Sequence, residues 1–259
     1  MRLKNKNAVV TGGGKGIGRG ICVKLAGEGA SVSVLDIDME SAEGTVKLIE
    51  EKGGNAFAIK ADVVRKAEVE KAVDKVLKDF GRIDILVNNA GMDIKGSIQE
   101  YPEETWDKLM DLNLKGMFLT TQAVVRGMMS QEYGRILNIS SMAGKTGESF
   151  TSPYCTSKFG VIGFTQSIAL ELGHYNITVN AVCPGPVETD LIKQSISQTA
   201  ELNKRTYEEE LEVKFISQTP LGRIARPEDV ANAVAFLVSD EAGFITGSTL
   251  NVSGGREMH

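Results

Sequence analysis

The sequence predicts an α/β domain, a doubly wound and mainly parallel sheet of about seven strands with helices on both faces. Three observations predict it. Short β-rich runs alternate with helical stretches from end to end, and strands joined by crossover helices pair in parallel. The first β-rich run enters a glycine-rich turn that opens directly into a helical pattern. No repeat, low-complexity tract or linker divides the chain, so residues 1–259 are expected to form a single domain, a length that α/β folds reach without splitting.

Asn7–Thr11 reads as the first buried strand. It runs into Gly12-Gly13-Gly14-Lys15-Gly16-Ile17-Gly18, after which Ile17, Ile21, Cys22 and Leu25 recur at helical spacing. Ser31–Leu35 is the second strand and ends at Asp36. A helix fills Met39–Lys52, a strand Ala56–Lys60 and a helix Lys66–Phe80. Ile83–Val87 is the fourth strand, and Thr105–Ser130 is one long helical stretch containing Asn113. Arg135–Ile139 is the fifth strand. The next helix carries Tyr154, runs to Gly173 and has Pro153 ahead of it, a residue suited to a first helical turn. Strands at Ile177–Val182 and Thr249–Val252 flank a last helix at Pro227–Val238. Glu188–Pro220 breaks the alternation, with charges at Lys204–Glu210 followed by Leu211, Val213, Phe215 and Ile216. It reads either as a solvated helical excursion or as a lid over a site.

Strand, glycine turn and helix are together the context of a dinucleotide site. Gly12, Gly14, Gly16 and Gly18 let backbone N–H groups approach a pyrophosphate, and the helix N-terminus at Ile17 adds partial positive charge. Asp36 lies about 20 residues farther on, where a carboxylate can bond the adenosine ribose hydroxyls. Close to a 2′-phosphate, each unit of like charge costs about 4 kcal/mol at ~4 Å and a dielectric of ~20. Lys15 argues the other way, but Ile37 and Asp38 follow Asp36 and no arginine does. NAD is the expected cofactor.

Tyr154 and Lys158 stand at i and i+4 of a helix and share a face. A phenol titrates at about pH 10 in water. An ammonium ~4 Å away favours the phenolate by roughly 4 kcal/mol at a dielectric of ~20, or up to about three pKa units. Such a pair can act as a general acid/base near neutral pH. Alone, Tyr-x-x-x-Lys is equally an aromatic anchor beside a solvated lysine, and the rest of the chain decides.

Hydrophobic content of 42% and charged content of 24% are ordinary for a globular protein. A net charge of −5 argues against nucleic-acid and anionic-membrane partners. No apolar run approaches the ~20 residues of a membrane span, and the basic Met1–Asn7 leads into too short an apolar stretch for a signal peptide. A cytoplasmic protein is expected. Cys22, Cys155 and Cys183 are odd in number and lack metal-ligand spacing, so no metal site is expected. Cys155 adjoins Tyr154 without a histidine to activate it.

From Lys6 to Gly255 these motifs resemble the short-chain dehydrogenase/reductase family in its shorter branch. The resemblance implies a Rossmann fold. Thr11-Gly12-x-x-x-Gly16-x-Gly18 is similar to the family's cofactor turn, and Asp62-Val63 to the pair that contacts the adenine. Asn88-Asn89-Ala90-Gly91 resembles the signature that braces the sheet and lines the cofactor site. Pro184-Gly185, with Val187 and Thr189 after it, resembles the segment holding the nicotinamide carboxamide. Asn113, Ser141, Tyr154 and Lys158 fall on the catalytic tetrad. Ser141 is chosen over Ser140 because it lies 13 residues before Tyr154, the family's spacing.

By that resemblance, Tyr154 takes the alcohol proton as hydride passes to the nicotinamide, and Ser141 fixes the oxygen. Lys158 lowers the phenol pKa and holds the nicotinamide ribose. Asn113 holds a water linking Lys158 to solvent, and residues 188–220 form the substrate lid. Glu148, six residues before Tyr154, is a candidate acceptor for a second hydroxyl, which suits a small polyol, diol or sugar alcohol as substrate. Lys145 either binds an acidic substrate group or pairs with Glu148. One alternative is a 3-oxoacyl-[acyl-carrier-protein] reductase, weakened by Asp36 and by Glu132 and Tyr175 where those enzymes carry arginines. Another is a nucleotide-binding regulator without chemistry, which the complete tetrad argues against. A homotetramer is implied, pairing the helices around Lys115–Ser130 and Tyr154–Glu171, with the final strand making a second contact; Arg256–His259 is a separate candidate to reach a neighbour.

Overall fold

The computed structural model describes residues 1–259, the Leu202 side chain excepted. Seven strands, β1 (Asn7–Thr11), β2 (Ser31–Asp36), β3 (Asn55–Lys60), β4 (Ile85–Asn88), β5 (Gly134–Ile139), β6 (Ile177–Pro184) and β7 (Thr249–Val252), form one sheet. Its order is β3-β2-β1-β4-β5-β6-β7, and each neighbouring pair is parallel. The chain winds outward from β1 in one direction and, from β4 on, in the other. The crevice between these two central strands is where such sheets bind ligands.

Side-chain alternation along each strand divides the core into two layers. From β1, Ala8 and Val10 point into one layer with Val32 and Val34 of β2. That layer packs on Ile21 and Leu25 of α1 (Gly16–Gly27) and on Val230 and Val234 of α9 (Pro227–Leu237). Val9 points the opposite way, joining Leu35, Leu86, Ile136 and Val179. This second layer is covered by α3 (Lys66–Phe80), α5 (Gly116–Ser130) and α6 (Ser152–Leu172) through Val76, Val124, Met128 and Ala169. Strands buried on both faces read as continuous apolar runs, which is why their positions are visible in the sequence.

Two elements differ from expectation. The fourth strand starts at Ile85 rather than Ile83. Asp84 is buried, and its carboxylate accepts the Asn7 backbone N–H at 2.9 Å and pairs with Arg82 at 2.6 Å, anchoring the turn before the strand. The long stretch expected from Thr105 is α4 (Glu103–Met110) continued into α5 through a π-helical turn at Asp111–Lys115. A π turn inserts one residue into the helical register and re-aims the side chain at its centre, Asn113.

Glu188–Pro220 is a packed helical segment. It holds α7 (Asp190–Asn203), α8 (Tyr207–Glu210) and a π turn at Leu211–Ile216. Ile196, Ala200 and Phe215 are buried, and the buried Glu210 carboxylate accepts from Asn203 at 3.0 Å and Arg205 at 3.1 Å. Among the described residues no helix is long and apolar enough to cross a membrane.

Candidate active site

A cleft of about 820 Å³ opens along the C-terminal ends of β1, β2, β4, β5 and β6. At its floor the turn after β1 has Gly12 at φ +61° and Gly16 at φ +53°, a conformation costly for residues with a Cβ. A Cβ at Gly18 would run into the Gly12 carbonyl oxygen and lie 2.5 Å from Asn89 Nδ2. Asn89 in turn donates to the Thr11 and Gly12 carbonyls, both at 2.9 Å, locking the turn against the end of β4. Lys15, at the N-cap of α1, offers no side-chain cap. The first N–H groups of that helix therefore stay available to an anion in the cleft. This glycine-lined, uncapped helix start fits the pyrophosphate of a dinucleotide.

Asp36 lines the cleft at the end of β2, and its two oxygens accept the N–H groups of Gly14 (2.8 Å) and Asp38 (3.0 Å). Gly14 does not itself line the cleft. Its place is behind Asp36, where a Cβ would come within 2.8 Å of the carboxylate. The expected cofactor contact at Gly14 is thus replaced by a bracing one. Lys15 pairs with Asp38 at 3.0 Å. Hydrogen bonds from Ser41 first, then from Lys15, hold the Asp38 carboxyl down at about 2. The cation that argued for a 2′-phosphate is therefore already neutralised. Ile37, exposed, and Val63 line the same end beside Asp62, giving apolar surface suited to a purine.

Asn88, Asn89, Ala90 and Gly91 carry the chain out of β4. Buried Asn88 donates to Asn138 (2.8 Å) and Thr121 (3.0 Å) and accepts from Thr120 (2.6 Å), tying β4 to β5 and α5. Ala90 and Gly91 reach the cleft wall. Asn113 lies just behind that wall, 3% exposed. Its amide accepts the Met92 N–H at 2.9 Å and donates to the Met92 carbonyl and to Ser157 Oγ, both at 3.0 Å. Both amide donors are spent on the protein, so the side chain holds the Met92 loop.

Ser141, Tyr154 and Lys158 meet on one wall of the cleft. Ser140 donates to the Lys158 carbonyl at 2.9 Å and is structural. Ser141 Oγ accepts the Ala143 N–H at 3.1 Å and keeps its own proton free. Lys158 is buried, 5.6 Å from the Tyr154 ring centre, and donates to the Ile139 carbonyl at 2.9 Å. The lysine charge is not alone in setting the phenol, because burial acts on both groups. It pushes the Tyr154 phenol up, with Ser141 pulling it down and Asp93 and Glu148 pushing it further up. It brings Lys158 down to about 8. Burial thus opposes the charged form of each, tyrosinate and ammonium, on one wall of the cleft.

Pro184 at the end of β6 and Gly185, Val187 and Thr189 after it line the cleft, and Glu148 lines it near Tyr154. Lys145 does not pair with Glu148; it donates to the Thr249 carbonyl at 3.2 Å. The C-terminal residues also depart from expectation. Gly254 (φ +64°) and Gly255 (φ +88°) turn the chain back so that Arg256 lines its own cleft, and Glu257 accepts from Thr146. Lys95 and Arg256 were missed as cleft residues because tertiary contacts alone bring them there. Among the described residues no cluster suited to a metal ion occurs, and all three cysteines are free and buried.

The family model described as short chain dehydrogenase matches residues 6–200. A (2S)-[(R)-hydroxy(phenyl)methyl]succinyl-CoA dehydrogenase subunit of Thauera aromatica is 39% identical over 100% of this chain and 99% of its own. A 3-oxoacyl-[acyl-carrier-protein] reductase of Staphylococcus aureus is 41% identical over 98% of both. Among solved structures, an NAD+-bound xylitol dehydrogenase superposes with a TM-score of 0.94 at 34% identity, covering 98% of this chain and 100% of that one. An actinorhodin polyketide ketoreductase with NADPH superposes at 0.95 and 38% identity, covering 98% of both. This chain belongs to the short-chain dehydrogenase family of oxidoreductases.

Proposed function

We propose that the protein transfers hydride between NAD(H) and a secondary alcohol or its ketone, the substrate being a small polyol, diol or sugar alcohol. The observation that carries this reading is the meeting of Ser141, Tyr154 and Lys158 on one wall of a cleft floored by an uncapped helix start. Gly12, Gly16, Ile17 and Gly18 would hold the pyrophosphate, Asp36 the adenosine ribose, and Ile37, Asp62 and Val63 the adenine. Asn89, Ala90 and Gly91 would border the cofactor, with Tyr154 and Lys158 on the second ribose and Pro184, Gly185, Val187 and Thr189 around the carboxamide. When bound, the nicotinamide accepts or returns the hydride. The chain's own part is to place the carbinol oxygen between Ser141 and Tyr154 and to exchange its proton with the phenol. Glu148 accepts from a second hydroxyl, and residues 188–220 act as the lid, which Leu191, Ile192, Ser195 and Phe215 on the cleft wall support. The enzyme in this reading is a cytoplasmic homotetramer, and exposed Phe118, Phe159 and Leu170 on α5 and α6 supply apolar pairing surface.

The Tyr154–Lys158 pair sets a pH dependence. With Lys158 lowered to about 8, the pair loses its first proton near that pH. The singly deprotonated pair includes the tyrosinate–ammonium form that accepts the alcohol proton. Alcohol oxidation should therefore rise with pH through about 8, and ketone reduction should fall over the same range. Profiles of kcat/KM in both directions check this, and a flat oxidation profile between about pH 6 and 10 contradicts it. For stability the same shift has a definite sign. The unfolded lysine binds more protons than the folded one between about 8 and its ordinary value of 10.5. The cost of burying Lys158 is thus full below about 8 and is relieved as pH rises toward 10.5.

NAD preference is proposed on Asp36 and on the neutralised Lys15. Asp36→Asn keeps a hydrogen-bond acceptor and removes the charge. It should shift the ratio of kcat/KM for NAD over NADP toward NADP by roughly 100-fold, allowing for screening. An unchanged ratio removes Asp36 from this role. The 41% identity to a 3-oxoacyl-[acyl-carrier-protein] reductase keeps that second reading in view. Assays of polyols and 3-oxoacyl thioesters with each cofactor separate the two.

A further inference from the structure

Around Phe215 the cleft wall carries charge that the proposed reaction does not use. Arg256, Lys95, Asp93 and Glu148 all line it. The Arg256 guanidinium sits 5.5 Å from the Phe215 ring, and Lys214 lies 5.8 Å from the same ring on the adjoining backbone. Nη1 of Arg256 is buried without a hydrogen-bond partner, and Asp93 Oδ1 is in the same position. Lys95 has one bond, to Thr199 at 3.1 Å. An arginine keeps its charge throughout the ordinary pH range and offers five donors in a planar fork. Leaving one of those donors buried and unpaired on a half-buried side chain is unfavourable unless something else completes it.

Neighbouring charges do not complete it. Among the described residues no carboxylate reaches ion-pairing distance of Arg256, although Glu148 is near enough to favour its charge. Burial opposes the charge of both Arg256 and Lys95. Burial opposes the charge of the Asp93 carboxylate as well. The geometry of the fork suits the planar, two-oxygen face of a carboxylate.

We infer that the substrate is an anionic alcohol, a hydroxy acid or sugar acid whose carboxylate rests on Arg256 with Lys95 beside it. The inference deepens the proposed function and rests on its placement of the carbinol carbon at Tyr154. Glu148 and Asp93 then face the remaining hydroxyls as hydrogen-bond partners. The proposed polyol is thereby narrowed to one that also carries a carboxylate. Phosphate and sulfonate present the same anionic oxygens, so the test must tell them from a carboxylate.

Matched probes supply that test: gluconate against sorbitol, lactate against its methyl ester, and glycerol phosphate against glycerol. The acid of each carboxylate pair should have the higher kcat/KM. Arg256→Gln should reduce that acid-over-neutral ratio by about 10- to 100-fold, the range for a hydrogen bond to a charged group. Arg256→Lys, which keeps charge and loses the fork, should fall between them. Preference confined to glycerol phosphate would keep the anion site and overturn the carboxylate assignment. Calorimetric titration of succinate into the enzyme saturated with NADH gives a readout without turnover, and Arg256→Gln should weaken it at least about tenfold. Arg256-dependent succinate binding with no alcohol oxidised would sink the proposed function and spare the anion site. Oxidation of neutral alcohols, with equal acid and ester ratios in wild type and Arg256→Gln, would overturn the anion site alone.

Discussion

Replacing Tyr154 by phenylalanine is expected to lower turnover by roughly 100- to 10,000-fold, the range that positioned acid–base groups contribute. Affinity for NADH should stay within about tenfold of wild type, since at most one neutral hydrogen bond is lost. The ring fills the same space, and the buried Lys158 keeps its bond to the Ile139 carbonyl, so the wall is not rebuilt. Steady-state assays with fluorescence titration of NADH separate the two quantities. Substantial turnover by the variant would move the proton transfer elsewhere. Loss of NADH affinity in parallel with turnover would make Tyr154 a binding residue instead.

Gly18→Ala is expected to remove cofactor binding outright. Its methyl would be driven into the Gly12 carbonyl oxygen, with Asn89 Nδ2 only 2.5 Å away on the other side. Both are fixed: Asn89 is bonded to the Thr11 and Gly12 carbonyls at 2.9 Å. Neither obstacle is the free end of a flexible side chain, so the turn itself must open. Overpacking of this kind costs about 1–3 kcal/mol of stability, and the opened turn no longer presents the N–H groups at the start of α1. NADH affinity should fall by more than about 100-fold, comparable with losing two charge-assisted hydrogen bonds. Titration alongside thermal unfolding checks this. A change in affinity below about threefold would mean that the cradle is not the anion site.

Strand positions were legible because buried parallel strands leave a plain mark. Ile85, Leu86 and Val87 point to alternate faces of the sheet, are all buried and read as one apolar run. The glycine turn was legible because its spacing is imposed by steric limits at single positions. What escaped depends on contacts remote in sequence. Asn113 sits on a π turn, and the extra residue leaves no readable break where Asp111-Leu112-Asn113-Leu114-Lys115 alternates polar and apolar residues inside a longer helical stretch. Gly14 was read as a cofactor contact because glycine in such a turn suggests close approach, but the group approaching it is the Asp36 carboxylate. Arg256 follows the last strand and looked like a tail. Two glycines in the left-handed region reverse it into the cleft, and nothing local shows which way such a turn sends the chain. For Tyr154 the sequence disclosed the partner charge but not the desolvation opposing it, because burial belongs to the folded wall as a whole.

The most direct test follows the transferred hydrogen. Alcohols from the polyol and hydroxy-acid panels, deuterated at the carbinol carbon, are incubated with NAD and either wild-type enzyme or Tyr154→Phe, and the nicotinamide product is analysed by mass spectrometry. Wild-type enzyme is expected to place the label on the nicotinamide ring, with no label lost to water, and the variant to place almost none. Label released to solvent, or equal labelling by both proteins, would contradict a hydride transfer that depends on the Tyr154 hydroxyl.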